Sequence, residues 1–244
     1  MGGGAGVSVN GAFRVATEKT MFAMPETGIG LFPDVGATRF LNLCPGHVGR
    51  YLGLTGARLG PADALYCGFA THFVARERIS ELIAALAGMA WETGKETAQV
   101  EAVLGQFAAD SGPPPLQVRR AVIDRCFAGD TVETILDALQ NETGDPDWAR
   151  ETRALLLTKS PTSLKITLRQ LVLGRGFDLE AALKLEYRMT QHVMAAHDFY
   201  EGVRAALVDK NQKPRWRPGS LAEIDDAAAD AYFAPLGDRE LTFD

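Results

Sequence analysis

Residues Met21–Gly36 read MFAMPETGIGLFPDVG. One carboxylate, Glu26, is set into an otherwise apolar run, and a second, Asp34, follows eight residues later. An ionised acid among Met, Phe, Ile and Leu is costly to bury. The stretch is therefore either a surface loop or a place where an acid is held for chemistry. Pro25 precedes Glu26, Pro33 precedes Asp34, and Gly28 and Gly30 allow unusual backbone angles. Both acids are expected in a stiffened loop that follows a short strand. Desolvation by the apolar neighbours would raise the pKa of Glu26, and a nearby second carboxylate would push the two values apart. A pair of turn or helix-capping acids would give the same pattern. That is the simpler reading of these residues alone, since perturbed carboxylates mark sites only statistically.

The surrounding chain has an ordinary globular composition. Its 244 residues are 46% hydrophobic and 23% charged, enough for one large domain or two small ones. The net charge is −6 with no basic block, which argues against a nucleic-acid partner. No apolar run approaches the roughly 18 residues of a membrane span, and no charged-then-apolar leader opens the chain. No membrane partner is expected. Cys44, Cys67 and Cys126 are widely spaced and odd in number. They read as reduced, buried thiols of a cytoplasmic protein. Cys44, His47, Cys67 and His72 are too loosely spaced for a zinc site, so no metal is expected.

Outward from the opening stretch, FRVAT (Phe13–Thr17), MFAM (Met21–Met24) and ATHFV (Ala70–Val74) look like short strands. HVGRYLGL (His47–Leu54) has helical spacing, and PADALYCG (Pro61–Gly68) has proline at the start and glycine past the end of a helix. The alternation predicts α/β layering over residues 1–75. Residues 76–107 read as helix, and DSGPPPLQ (Asp110–Gln117) breaks it. Amphipathic segments such as DTVETILDALQNE (Asp130–Glu142) complete a helical connecting region over 76–148. Residues 149–244 form a helical C-terminal region, interrupted at Lys159–Ser163 and Leu173–Asp178. Thr162 or Ser163, and Asp178, are the candidate N-caps there. An acidic helix is expected within Leu221–Phe233.

The other chemistry-bearing residues carry less. GGGAG (Gly2–Gly6) lets a ligand approach the backbone and can expose N–H groups that stabilise an oxyanion. A flexible terminus reads the same way. The stretch lacks the spacing of a dinucleotide fingerprint. His72 sits in an apolar run and reads as a satisfied core group. His192 and His197 are five apart on a helix, off a common face. Ser8, Ser160 and Ser163 lack the GxSxG elbow, so no nucleophile triad is evident.

The ordered series MGGGAGVSVNGAFRVATEKTMFAMPETGIGLFPDVGATRFL, LTGARLGPADALYCGFATHFV, SPTSLKITLRQL and EYRMTQHVMAAHDFYEGVRAALVDKNQKPRWRP resembles the crotonase superfamily. Within it, the likeness is to the 3-hydroxyisobutyryl-CoA hydrolase branch. It covers nearly the whole chain and weakens across about 80–150. The resemblance implies a crotonase-like spiral core within the α/β class, with residues 1–75 as its C-terminal part. It implies that Gly3 donates its backbone N–H to the thioester carbonyl, that Glu26 is the principal catalytic carboxylate, and that Asp34 is the second. All three would contact the substrate. Glu26 would attack the thioester or activate a water. The substrate would be an acyl-CoA from valine breakdown, with coenzyme A part of the substrate and no separate cofactor.

Hydratases of the superfamily carry a second glutamate two positions after the three glycines, and here that position is Gly6. The acid pair is then Glu26 and Asp34. A dienoyl-type isomerase could share that pair, and the SPTSLKITLRQL and HDFYEGVRA stretches favour the hydrolase. Two alternatives stay open: an enoyl-CoA hydratase or isomerase of the same superfamily, and a catalytically incomplete fragment serving as a partner-binding subunit. The resemblance also implies that the family's spiral has a further third of chain before Met1, including the first oxyanion N–H. A chain starting at Met1 is therefore expected to be N-terminally incomplete, weak in hydrolysis, and drawn into a homo-oligomer through unpaired strand edges.

Overall fold

A computed structural model describes residues 3–243. The chain begins with α1 (Gly3–Ser8), β1 (Val15–Ala16), α2 (Ala37–Phe40), α3 (Val48–Thr55), α4 (Pro61–Tyr66) and β2 (His72–Phe73). It continues through α5 (Ile79–Ala87), α6 (Glu96–Phe107), α7 (Pro115–Cys126), α8 (Val132–Gln140) and α9 (Pro146–Leu156). Then come α10 (Pro161–Leu173), α11 (Leu179–Met194), α12 (Asp198–Val203) and α13 (Asp226–Asp230).

The strands are fewer and shorter than the sequence pattern predicts. β1 and β2 pair in parallel, Val15 opposite His72 and Ala16 opposite Phe73. The strand-like Met21–Met24 shrinks to one antiparallel bridge, Phe22 to Leu59. Among the described residues it has no second partner strand to extend the ladder. The segment is instead held by packing: Phe22 stacks on Phe69 with ring centroids 4.2 Å apart, and Phe40 meets both rings edge-on.

The helices follow the sequence more closely, because their start signals are local. Pro61, Pro115, Pro146 and Pro161 each open a helix, where a missing N–H costs nothing. Asp178 caps α11 by accepting from the Ala181 amide at 2.8 Å. The cap of α10 is Ser160, which accepts from the Ser163 amide at 3.0 Å. This replaces the expected Thr162 or Ser163: Pro161 takes the first helical position, so the cap falls one residue before it. The helix read across 76–107 is two helices, with Gly88 and Gly94 between them. The acidic C-terminal helix is only the single turn-and-a-half of α13, flanked by 3₁₀ turns.

The main core gathers Leu41, Val48, Leu52 and Leu54 with Ile123, Phe127, Ile135, Leu156, Leu164 and Leu171. Helix α3 is its axis, in contact with α7, α9 and α10. A second cluster packs Phe32 against Ile166, Leu185, Met189 and Val193. That cluster roots the loop between Glu26 and Asp34 on α10 and α11. Arg50, buried on α3, donates to the carbonyls of Phe127, Ala128 and Gly129 at 2.7–3.1 Å and ties off the end of α7. No described helix is long and apolar enough to cross a membrane.

Close approach at one glycine sets the position of α3. A Cβ on Gly49 would fall on the Leu41 carbonyl oxygen. Backbone cannot yield as a side chain can, so Gly49→Ala is expected to destabilise the fold by about 2 kcal/mol or more. Urea unfolding of the two proteins checks this; equal midpoints would show that α3 shifts freely.

Candidate active site

The loop of the opening stretch is built as two turns. Glu26–Ile29 form a 3₁₀ turn that closes on Gly30 at φ 72°. A side chain at Gly30 would collide with the Asp198 carbonyl, and one at Gly202 with the Ile29 carbonyl. The turn therefore lies flush against α12. Thr27 is fully buried and donates its hydroxyl to the Leu54 carbonyl at 3.0 Å. Its own carbonyl accepts from the Ser160 amide at 3.2 Å, and Ser160 in turn donates to Asp198 at 2.6 Å. The turn is thus fastened to α3, α10 and α12 on either side of the Glu26 side chain.

Glu26 is 7% exposed, and its Oε2 is buried with no hydrogen-bond partner among the described residues. Burial pushes its carboxyl up to about 7; its own backbone amide opposes this, and the Asp34 charge adds to it. Asp34 is half-buried, and burial raises its pKa as well. The two acids of the sequence motif are therefore close enough to act on each other. Neither side chain caps a helix.

The second turn is strained. Val35 has φ 57° and Gly36 has φ 90°. A left-handed backbone is unusual for a β-branched residue, and such strain persists where the surroundings over-determine it. Here they do. Glu186 on α11 accepts from the Gly36 amide at 2.7 Å, the Thr38 amide at 2.8 Å and the Thr38 hydroxyl at 2.7 Å. Gln170 on α10 donates to the Pro33 carbonyl and to the Thr38 hydroxyl, each at 2.8 Å. Burial pushes Glu186 up to about 7; the three donors pull it back, and Asp34 pushes it further up.

Sequence reasoning missed Glu186 and Gln170. A signal existed for the first. Ala182, Leu185, Met189 and Val193 form the buried stripe of α11, and Glu186 sits inside it. An acid in an apolar helical stripe is the helical counterpart of Glu26 in its apolar run.

Gly3 is the first residue of α1, where helical N–H groups lack intrahelical partners. Gly2 lies outside the described residues. Helix α1 reaches the acid loop at Gly6: a Cβ there would stand 2.9 Å from both Cβ and Cγ1 of Val35. The histidines are elsewhere. His72 contacts Thr71 at 2.9 Å and Glu101 at 3.4 Å, His192 the Ala234 carbonyl, and His197 Asp198. Among the described residues no three His, Cys, Asp or Glu side chains gather as a metal site.

A model of the enoyl-CoA hydratase/isomerase family matches residues 1–233. The chain belongs to this family. A relative from Xenopus laevis, named 3-hydroxyisobutyryl-CoA hydrolase, mitochondrial, is 46% identical over 243 residues, covering 99% of this chain and 63% of its own length. One of the same name from Rattus norvegicus is 46% identical over 248 residues, covering 100% and 63%. The crystal structure of a carnitinyl-CoA dehydratase from Mycobacterium thermoresistibile superposes with a TM-score of 0.88 at 41% identity, over 100% of this chain and 67% of that one. The fold is therefore that of the family. The chain spans under two thirds of the length of the curated relatives it matches.

The same comparison corrects the expected cytoplasmic location, since the frog and rat relatives are named as mitochondrial. Cys44, Cys67 and Cys126 are free and buried.

Burial of Glu26 has a measurable sign. Its folded pKa, about 7, lies above the ordinary value of 4.5. Between those values the folded state holds a proton that the unfolded state has lost, so this group's contribution to stability falls as pH rises through that window. Glu26→Gln removes the effect. The variant is expected to match wild type near pH 4.5 and to become more stable above pH 7, by up to about 3 kcal/mol. Denaturant melts across pH test this. A stability difference that does not change with pH would mean that Glu26 is solvated.

Proposed function

We propose that the chain carries the acid pair of an acyl-CoA thioester hydrolase: 3-hydroxyisobutyryl-CoA and water give 3-hydroxyisobutyrate and free CoA, a step of valine breakdown. The observation that carries this reading is the contact between Gly6 and Val35. Water addition to an enoyl-CoA in this superfamily uses a second glutamate at the position of Gly6, and a side chain there would meet the Val35 Cβ at 2.9 Å. The Val35 Cβ is bonded directly to the backbone, so no side-chain rotation carries it away. The remaining acids are Glu26 and Asp34, and the frog and rat relatives are named as hydrolases.

In this reading the Gly3 N–H polarises the thioester carbonyl. Glu26, whose Oε2 has no partner among the described residues, either takes a proton from the water that attacks the carbonyl carbon, or attacks that carbon itself to form a mixed anhydride that water cleaves after CoA has left. Negative charge collects on the carbonyl oxygen, where backbone donors stabilise it. The carbon–sulfur bond then breaks and the CoA thiolate takes up a proton. With a pKa of about 7, Glu26 can both accept and return a proton near neutral pH. Asp34 biases the charge of Glu26. A hydratase or dehydratase is the second reading, favoured by the likeness to the carnitinyl-CoA dehydratase.

Free CoA release from 3-hydroxyisobutyryl-CoA supports the first reading; hydration of an enoyl-CoA without CoA release supports the second. Glu26→Gln is expected to lower hydrolysis by about 10²–10⁴-fold with an unchanged circular dichroism spectrum. Near-wild-type turnover in that folded variant would remove Glu26 from the mechanism. Asp34→Asn is expected to cost less rate and to displace the pH–rate curve, because interacting acids titrate as a pair. An unchanged curve would reduce Asp34 to a turn residue.

A further inference from the structure

Asp34 hangs between two anchored points. On one side the Pro33 carbonyl is held by Gln170; on the other the Gly36 amide is held by Glu186. The only residue between Asp34 and the second anchor is Val35, in the left-handed conformation that its branched side chain disfavours. Glu186 comes from a helix 150 residues further along the chain. It is 3% exposed, and the three donors that face it are neutral. A buried carboxylate without a cation is an expensive way to tie a helix to a loop. Apolar packing would serve if attachment were all that was needed, and Phe32 already supplies it against Leu185 and Met189. The carboxylate does what packing cannot. It grips two amides two residues apart and so sets the backbone direction at Val35.

We propose that Glu186 is the positioning residue for Asp34: by binding the Gly36 and Thr38 amides it holds Val35 left-handed and aims the Asp34 carboxyl at Glu26. Glu186 itself does not touch the reacting atoms. The same clamp holds Val35 against Gly6, so one carboxylate fixes both the second acid and the surface that excludes an alternative acid from α1. The proposal rests on the reading of Glu26 and Asp34 as the working pair.

The test uses Glu186→Gln in the full-length protein. Glutamine keeps the shape but places an NH₂ against either the Gly36 amide or the Thr38 pair, so one anchor is lost. Hydrogen exchange at the Gly36 amide is expected to speed up by about tenfold or more, while exchange in α3 and α10 stays as in wild type. The kcat for CoA release is expected to fall about 10–100-fold, with KM within about twofold, as for a misplaced catalytic group. Adding Val35→Gly to Glu186→Gln removes the disfavoured backbone and is expected to recover part of kcat. If Glu186→Gln does not fold, Thr38→Val, which deletes one of the three donors, is expected to move exchange and kcat in the same direction by a few fold. Unchanged Gly36 exchange with wild-type kcat would overturn the proposal. So would a loss of kcat that Val35→Gly leaves untouched while exchange rises evenly through the protein. A failure of the acid-pair reading looks different: Glu26→Gln would keep its turnover, while the Gly36 amide would still loosen in Glu186→Gln.

Discussion

Two backbone amides, those of Gly36 and Thr38, point at one buried carboxylate on a distant helix. Most of what is distinctive about the site depends on that arrangement. Ionised acids in a protein interior are usually neutralised by a neighbouring cation or by a change of pKa. Elsewhere in this chain the first solution is used. Arg125 holds Glu142, and Arg204 holds Glu201, each down to about 2. Around the loop the second solution is used. Glu26 and Glu186 both sit near 7, Asp34 is raised, and burial is the leading cause in every case. Protons can therefore come and go there near neutral pH.

Such a cluster needs a rigid frame, because acids free to move would separate or turn to water. The frame comes from close backbone contacts as well as hydrogen bonds. Gly30 and Gly202 let the Glu26 turn and α12 meet with no side chain between them. Thr27 and Ser160 use hydroxyl and amide groups to bind that turn to α3 and α10. Gly6 lets α1 rest on Val35. A side chain at Gly6 would stand 2.9 Å from the Val35 Cβ, so that contact needs glycine.

The local features of this design are legible in the sequence. A lone glutamate between Pro25 and a pair of glycines is an inconsistency within an apolar run, and such inconsistencies tend to fall at functional sites. The prolines that open four helices and the Asp178 cap are readable for the same reason: their cause lies within a few residues. Features that depend on distant partners are harder to read. The strand-like pattern of Met21–Met24 belongs to its own residues, yet a ladder is made by its neighbours, and only Leu59 answers it. Glu186 escapes a local reading because its significance depends on a loop 150 residues away, although its place in the apolar stripe of α11 is visible. Ser160, which in sequence is only a serine lacking a nucleophile elbow, is the cap of α10 and the link from Thr27 to Asp198.

Central to the site is a Glu26 that the fold holds buried, so that it titrates near neutrality. A carboxyl-carbon NMR titration, with glutamate labelled and the Glu26 signal assigned by its loss in Glu26→Gln, measures this directly. The expected midpoint is near 7. A midpoint near 4.5, the ordinary value for glutamate, would contradict it.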